Sequence, residues 1–130
     1  DPLDHYVEAQ VHGGLLLARD VAAIWLDPCY AGSSLAQAVQ TCGLVLRFHP
    51  GYRLHAGQLA QASLFRGAEV AEVLADMLQH TLGDLTPADV GQAHASGRYP
   101  APLLKKAWHC LAQLGRAQGL GDSAKLPALA

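Results

Sequence analysis

The chain lacks any long apolar run. The longest are Leu15 to Leu17 and Val21 to Leu26, far short of the roughly 20 residues that span a bilayer, so no transmembrane helix and no membrane partner are expected. Clustered positive charge is also missing. The nine Lys and Arg are scattered through a chain of net charge −2 and pI near 6.4, which argues against a nucleic-acid partner. Cys29, Cys42 and Cys110 are an odd count, far apart and without a C-x-x-C pair, so neither a disulfide framework nor a zinc ribbon is expected. The thiols read as reduced and structural, including Cys29, which has no legible base beside it. Seven histidines include no H-E-x-x-H. His5 and His12 fall on opposite faces of a strand, and His49 and His55 flank a Pro-Gly turn without a third ligand, so no metal is expected. Gly115, Gly119 and Gly121 follow a helix instead of joining a strand to one, and so fail the dinucleotide fingerprint. The chain opens at Asp1-Pro2 without Met or a signal-like segment, so a processed product or a piece of a longer protein is expected.

What is present suits one compact domain: 130 residues, 51% of them hydrophobic, enough to bury a real core. The most informative stretch is His5 to His12, closed by Gly13-Gly14. Read as a strand, it places Val7, Ala9 and Val11 in an apolar row and Tyr6, Glu8, Gln10 and His12 in a polar one. A phenol, a carboxylate, an amide and an imidazole on one face are groups that bind and polarise a ligand. The plain alternative is a solvated strand face, which has the same period.

Further along, Val21 to Leu26 reads as a strand buried on both faces, in the middle of a sheet. Ser33 or Ser34 caps a helix with Leu35, Ala38, Val39 and Cys42 on its stripe, and Gly43 stops it. Leu44 to Phe48 returns as a strand, giving a short β-α-β unit whose strands need not be adjacent. After His55 the period shifts toward 3.6. Helices are predicted at 58–65, at 68–82 (Val70, Val73, Leu74, Met77, Leu78 and Thr81 inward), at 87–93 after the Thr86-Pro87-Ala88-Asp89 capping box, and at 103–114 (Leu104, Ala107, Trp108 and Leu111 inward). The predicted class is α+β: a sheet segment over about residues 4–50, then a helical part over about 57–118. It forms a single domain or the C-terminal part of one, divided into a β-rich segment (1–55), a helical subdomain (56–118) and a loose tail (119–130).

The run Tyr6-Val7-Glu8-Ala9-Gln10-Val11-His12-Gly13, followed by Leu17-Ala18-Arg19-Asp20-Val21 and Leu26-Asp27-Pro28-Cys29-Tyr30, resembles the hallmark of a bacterial family long catalogued as a domain of unknown function. The E-A-Q-V-H-G box carries the likeness, which covers roughly residues 4–55 well and the remainder loosely. Members include type III secretion effectors that resemble ADP-ribosyltransferases and modify a threonine of host ubiquitin. The resemblance therefore implies an ADP-ribosyltransferase-like sheet segment, NAD as substrate and a protein acceptor such as ubiquitin. It also implies a place in the bacterial cytoplasm or, after secretion, in the host cell.

Within that resemblance Glu8 is the catalytic carboxylate, with Tyr6, Gln10 and His12 binding substrate beside it. A carboxylate near the ribose can orient its 2′-hydroxyl and stabilise an oxocarbenium-like state. Taking Gln10 as the catalytic position instead would leave an amide where the acid belongs. Such transferases also carry an upstream strand with an arginine or histidine and another with a serine. Only seven residues precede Glu8, so Arg19, Arg47, Ser33 and Ser34 are not carried over, and an upstream segment or second chain is expected to complete the site. The 130-residue chain alone is expected to be inactive. Two other classes remain open: a non-enzymatic interaction module built on Met77, Trp108 and nearby leucines, and a hydrolase pairing Glu8 with His12, whose Cα atoms lie about 13 Å apart along a strand.

Overall fold

A computed structural model describes residues 11–116. Tyr6, Glu8 and Gln10 lie outside the described residues, as does most of the first expected strand. Its last two residues, Val11 and His12, join no ladder and are exposed, which corrects the inward placement of Val11. Gly13 and Gly14 explain the break: their φ values of +93° and +78° suit glycine and turn the chain away from extended geometry. A single helical turn, α1 (Leu17–Asp20), follows. Asp20 closes it by accepting the Leu16 N–H at 2.9 Å.

Strands β1 (Ile24–Leu26) and β2 (Leu46–Phe48) pair in parallel, Ile24 against Leu46 and Leu26 against Phe48. Helix α2 (Ser34–Thr41) connects them. The predicted β-α-β unit is present and its strands are adjacent. Its burial differs from the expectation, because among the described residues β1 pairs along one edge only. Trp25 is 46% exposed, and its ring lies under the Arg47 guanidinium at 5.5 Å rather than in a core. In α2, Ser33 caps as predicted by accepting the Ala36 N–H at 3.2 Å. The buried pair is Ala36 and Val39, with Leu35, Ala38 and Cys42 exposed. Only a narrow i, i+3 contact is needed against a two-stranded sheet, so the larger Leu35 is left outside.

From residue 56 to residue 114 the chain is mainly helical. A 3₁₀ turn (Ala56–Gln58) leads into α3 (Leu59–Arg66), followed by α4 (Ala68–Leu78), α5 (Pro87–Ala95) and α6 (Ala101–Leu114). No strand interrupts 68–82 or 103–114. Helix α4 ends earlier than the apolar period suggests. The Thr81 hydroxyl donates to Leu78 O at 3.1 Å and the Leu78 carbonyl also takes the Thr81 N–H at 3.3 Å, which terminates the helix before Gly83 is reached. The capping box at α5 forms as read: the Asp89 carboxylate accepts the Thr86 N–H at 2.7 Å. In α6 the inward stripe is Leu104, Ala107, Cys110 and Leu111, and Trp108 lies outside it at 38% exposure. One step around the helix, a thiol replaces the indole in the core.

These helices surround a cluster in which Leu54, Leu74, Leu85 and Leu111 are fully buried. Two extended pieces brace it. Leu54 and Leu85 exchange both backbone hydrogen bonds at 3.0 Å, and Gln58 reaches from the 3₁₀ turn to Leu114 O at 2.6 Å. Arg53 N–H meets Gly115 O at 2.6 Å, and a Cβ on Gly115 would stand 2.6 Å from Leu111 O and 3.0 Å from Arg53 O. Gly115 is therefore a close-approach glycine rather than an ordinary loop residue. The chain is thus α+β: a thin parallel pair followed by a helical body. No helix among the described residues is long and apolar enough to cross a membrane.

Candidate functional site

Of the four residues singled out on the first stretch, only His12 lies among the described residues, exposed in the bend before Gly13. A different constellation appears where β1 ends. Strand β1 delivers Asp27 into the interior at 4% exposure, the buried charged residue of the described chain. Its Oδ1 accepts the Cys29 N–H at 2.9 Å and Arg53 Nη1 at 3.2 Å, and its Oδ2 accepts the Tyr52 N–H at 2.8 Å. Burial pushes the Asp27 carboxyl up, but the hydrogen bonds from Cys29, Tyr52 and Arg53 outweigh it and hold the group below its ordinary range. Asp27 is a fixed anion that ties the end of β1 to the 52–53 segment.

The sequence marks this position only as an Asp-Pro strand stop. Two of its partners, Tyr52 and Arg53, lie 25 and 26 residues away, and no local spacing identifies them. Beside it, burial pushes the Cys29 thiol up to about 11, with Asp27 adding to the effect. At neutral pH this thiol is protonated and a poor nucleophile, in keeping with a structural role. Tyr30 is raised as well, first by burial and then by the charges of Cys29, Asp27 and Asp89.

Above Asp27 runs a groove of about 390 Å³ between the parallel pair and helices α5 and α6. Rings wall it: Trp25, Tyr30, His49, Tyr52, His94 and Trp108. His49 and Tyr52 stand 5.1 Å apart and tilted, and Tyr52 meets Trp108 edge-on at 6.0 Å. His49 is oriented by the turn that follows it, where its Nδ1 accepts the Gly51 N–H at 3.1 Å. This second imidazole of the Pro-Gly turn, His55, instead bonds Asp84 at 2.6 Å, so the two histidines do not converge. No group of three or more His, Cys, Asp or Glu suited to a metal is present among the described residues.

Sequence reading missed this groove because its walls come from five separate segments. One signal was available: Trp108 breaks the otherwise small and aliphatic stripe of α6, and a tryptophan at a helix-face boundary often packs on a second aromatic. Chemically, the groove can hold a planar ring between aromatic faces, with hydrogen-bonding imidazoles at its rim.

No curated protein and no solved structure matches the chain. One family model does, over residues 1–111, described as a protein of unknown function (DUF3626). That span takes in the E-A-Q-V-H-G box, the parallel pair, the ring-walled groove and most of α6, and the chain belongs to this family.

Proposed function

We propose that the chain is the C-terminal part of an NAD-dependent mono-ADP-ribosyltransferase that acts on a hydroxyl of a protein acceptor, a threonine of ubiquitin being the first to test. The observation that carries this reading is the E-A-Q-V-H-G box in the sequence, whose one carboxylate is Glu8, with Tyr6, Gln10 and His12 at alternate positions beside it. NAD is the substrate. The glycosidic bond between ribose C1′ and the nicotinamide nitrogen breaks, nicotinamide leaves with the bonding electrons, and positive charge builds on the ribose. The acceptor oxygen then bonds C1′ and gives up its proton to a base. Glu8 fits the step in which charge develops, because a fixed carboxylate gains interaction energy as the ribose becomes cationic.

The ring-walled groove supports the reading independently of Glu8. Its aromatic faces suit a planar nicotinamide or adenine, and its volume is on the scale of such a ring with its sugar. The upstream arginine or histidine and serine that clamp NAD in such enzymes have no counterpart on this chain. The reading therefore expects the 130-residue chain by itself to show no NAD hydrolysis above a buffer blank.

The test is to express the chain together with the sequence its gene encodes upstream of Asp1, incubate it with NAD and ubiquitin, and examine ubiquitin by mass spectrometry. A gain of one ADP-ribose, lost on treatment that cleaves the ribosyl–oxygen bond, is the expected result. NAD turnover by the isolated chain would overturn the need for a completing segment, and no modification of any hydroxyl-bearing acceptor by the completed protein would overturn the reading.

A further inference from the structure

The ring-walled groove ends at the Tyr52–Trp108 pair, and a second concavity of about 450 Å³ begins on its other side, lined by Tyr52, Lys105, Trp108, His109, Gln113 and Arg116 among others. Its character is different. Between Val90 and Arg116 the chain contains no Asp or Glu, while Arg98, Lys105, Lys106 and Arg116 fall in the same stretch. Lys105, His109 and Gln113 are spaced i, i+4, i+8 on α6 and line the same wall. Of the Lys and Arg residues in that stretch, Lys105 and Arg116 line the concavity, whereas Arg98 pairs with Asp76 at 2.9 Å.

Three observations suggest that this positive charge can serve a ligand. First, among the described residues no carboxylate lines the concavity, so Lys105 and Arg116 have no counter-ion there among them. Second, His109 bears the cost of the crowding: its imidazole is held below its ordinary pKa by burial and then by the charges of Arg66 and Lys105, and its buried Nδ1 has no hydrogen-bond partner among the described residues. Third, the aromatic wall is firmly placed yet accessible. Tyr52 is bridged backbone to backbone with Arg116, fixing the phenol and the guanidinium-bearing residue together, while Trp108 keeps 38% of its surface exposed.

An anion relieves the like-charge crowding, and an exposed indole beside a phenol favours a planar ring. We propose that this concavity binds a nucleotide monophosphate unit, its base against the Trp108–Tyr52 wall and its phosphate between Lys105 and Arg116. The volume is that of a small-molecule site, and a chain of net charge −2 offers no continuous basic track for a polymer. The assignment does not rest on Glu8 or on the transferase reading, although a bound adenylate would be one half of NAD.

The test is calorimetric titration of the 130-residue chain with AMP, adenosine and inorganic phosphate, repeated for Lys105→Ala, Arg116→Ala, the double variant and Trp108→Leu. The charged pair is exposed, so those variants keep the fold, which circular dichroism checks. The expected result is saturable AMP binding about tenfold or more tighter than adenosine, weakened roughly three- to tenfold by each charge removal and more by both, with steep salt dependence. Adenosine affinity should be unchanged in the charge variants and reduced in Trp108→Leu. Absence of saturable AMP binding to the folded chain, equal affinity for AMP and adenosine, or undiminished AMP binding by the double variant would each overturn the proposal. Phosphate binding as tightly as AMP would overturn the aromatic half of it. None of these readouts involves NAD turnover, so failure here is distinct from failure at Glu8.

Discussion

The parallel pair with α2 and the helical body beyond residue 55 are built on different terms. The first has three-residue strands, one buried helix contact at Ala36 and Val39, and large apolar side chains left facing out at Trp25, Leu35, Val45 and Phe48. The second encloses a continuous core of fully buried leucines under four helices. A thin layer fastened to a solid one suggests a division of labour. The helical body supplies stability, and the layer presents rings and polar groups whose burial has been given up for access. Asp27 and the Arg53–Gly115 contact are the fasteners, since they tie β1 to the 52–53 segment and that segment to the end of α6.

The two regions differ most at Leu74, which is fully buried in α4. Leu74→Ala should cost about 2–5 kcal/mol in denaturant unfolding, whereas Leu35→Ala in the thin layer should cost under about 1 kcal/mol because half of that side chain is already wet. Equal losses at the two positions would mean that the layer is as tightly packed as the body.

At the fastener, Asp27→Asn keeps the size but offers one oxygen where the native group uses two, leaving the Tyr52 or Cys29 N–H facing an amide. A loss of about 2–3 kcal/mol is expected. The pH dependence has a definite sign. With its folded pKa below the unfolded value of 3.8, Asp27 stabilises the fold fully above that value and loses its contribution as pH falls through the folded pKa. Acid titration of wild type and Asp27→Asn should show the extra loss below about pH 4 in the wild type only.

Gly115→Ala tests the second fastener and should cost about 1–3 kcal/mol, because the new methyl meets two backbone carbonyls rather than a flexible side chain. A neutral effect in thermal melts would show that the 53–115 contact is slack. The smallest expected effect is at the α5 cap, where Thr86→Ala removes the hydroxyl that bonds Asp89 at 2.6 Å and should cost about 1 kcal/mol. Hydrogen exchange in the first turn of α5 should report it before global unfolding does.

Local chemistry was legible at several positions but not at the end of α4, where Thr81 rather than Gly83 stops the helix. Ser33, Gly43, the Thr86–Asp89 box and the change of period near residue 55 all act within a few residues of themselves, and each is found where it was read. Placement across the chain was not legible. Whether Leu35 or Ala36 faces inward depends on how little sheet there is to cover, and Trp108 leaves the core because Cys110 and Leu111 fill it and Tyr52 offers an aromatic partner. Asp27 could not be distinguished from a strand-ending aspartate without the segment 25 residues on. The same limit hid the meeting of Lys105 and Arg116 at one concavity, since separate positions become one surface only when helix and loop are folded together.

The most direct test of the central claim, that the first segment does chemistry while the helical body holds it in place, is single-turnover ADP-ribosylation with Glu8→Gln in the completed protein. The amide keeps size and hydrogen bonding but not charge. The account predicts a rate lower by on the order of 10² or more, about 3 kcal/mol of transition-state stabilisation, with NAD affinity changed by only about 1 kcal/mol and an unaltered melting temperature. Retained turnover by a folded Glu8→Gln protein would contradict it and move the active carboxylate elsewhere.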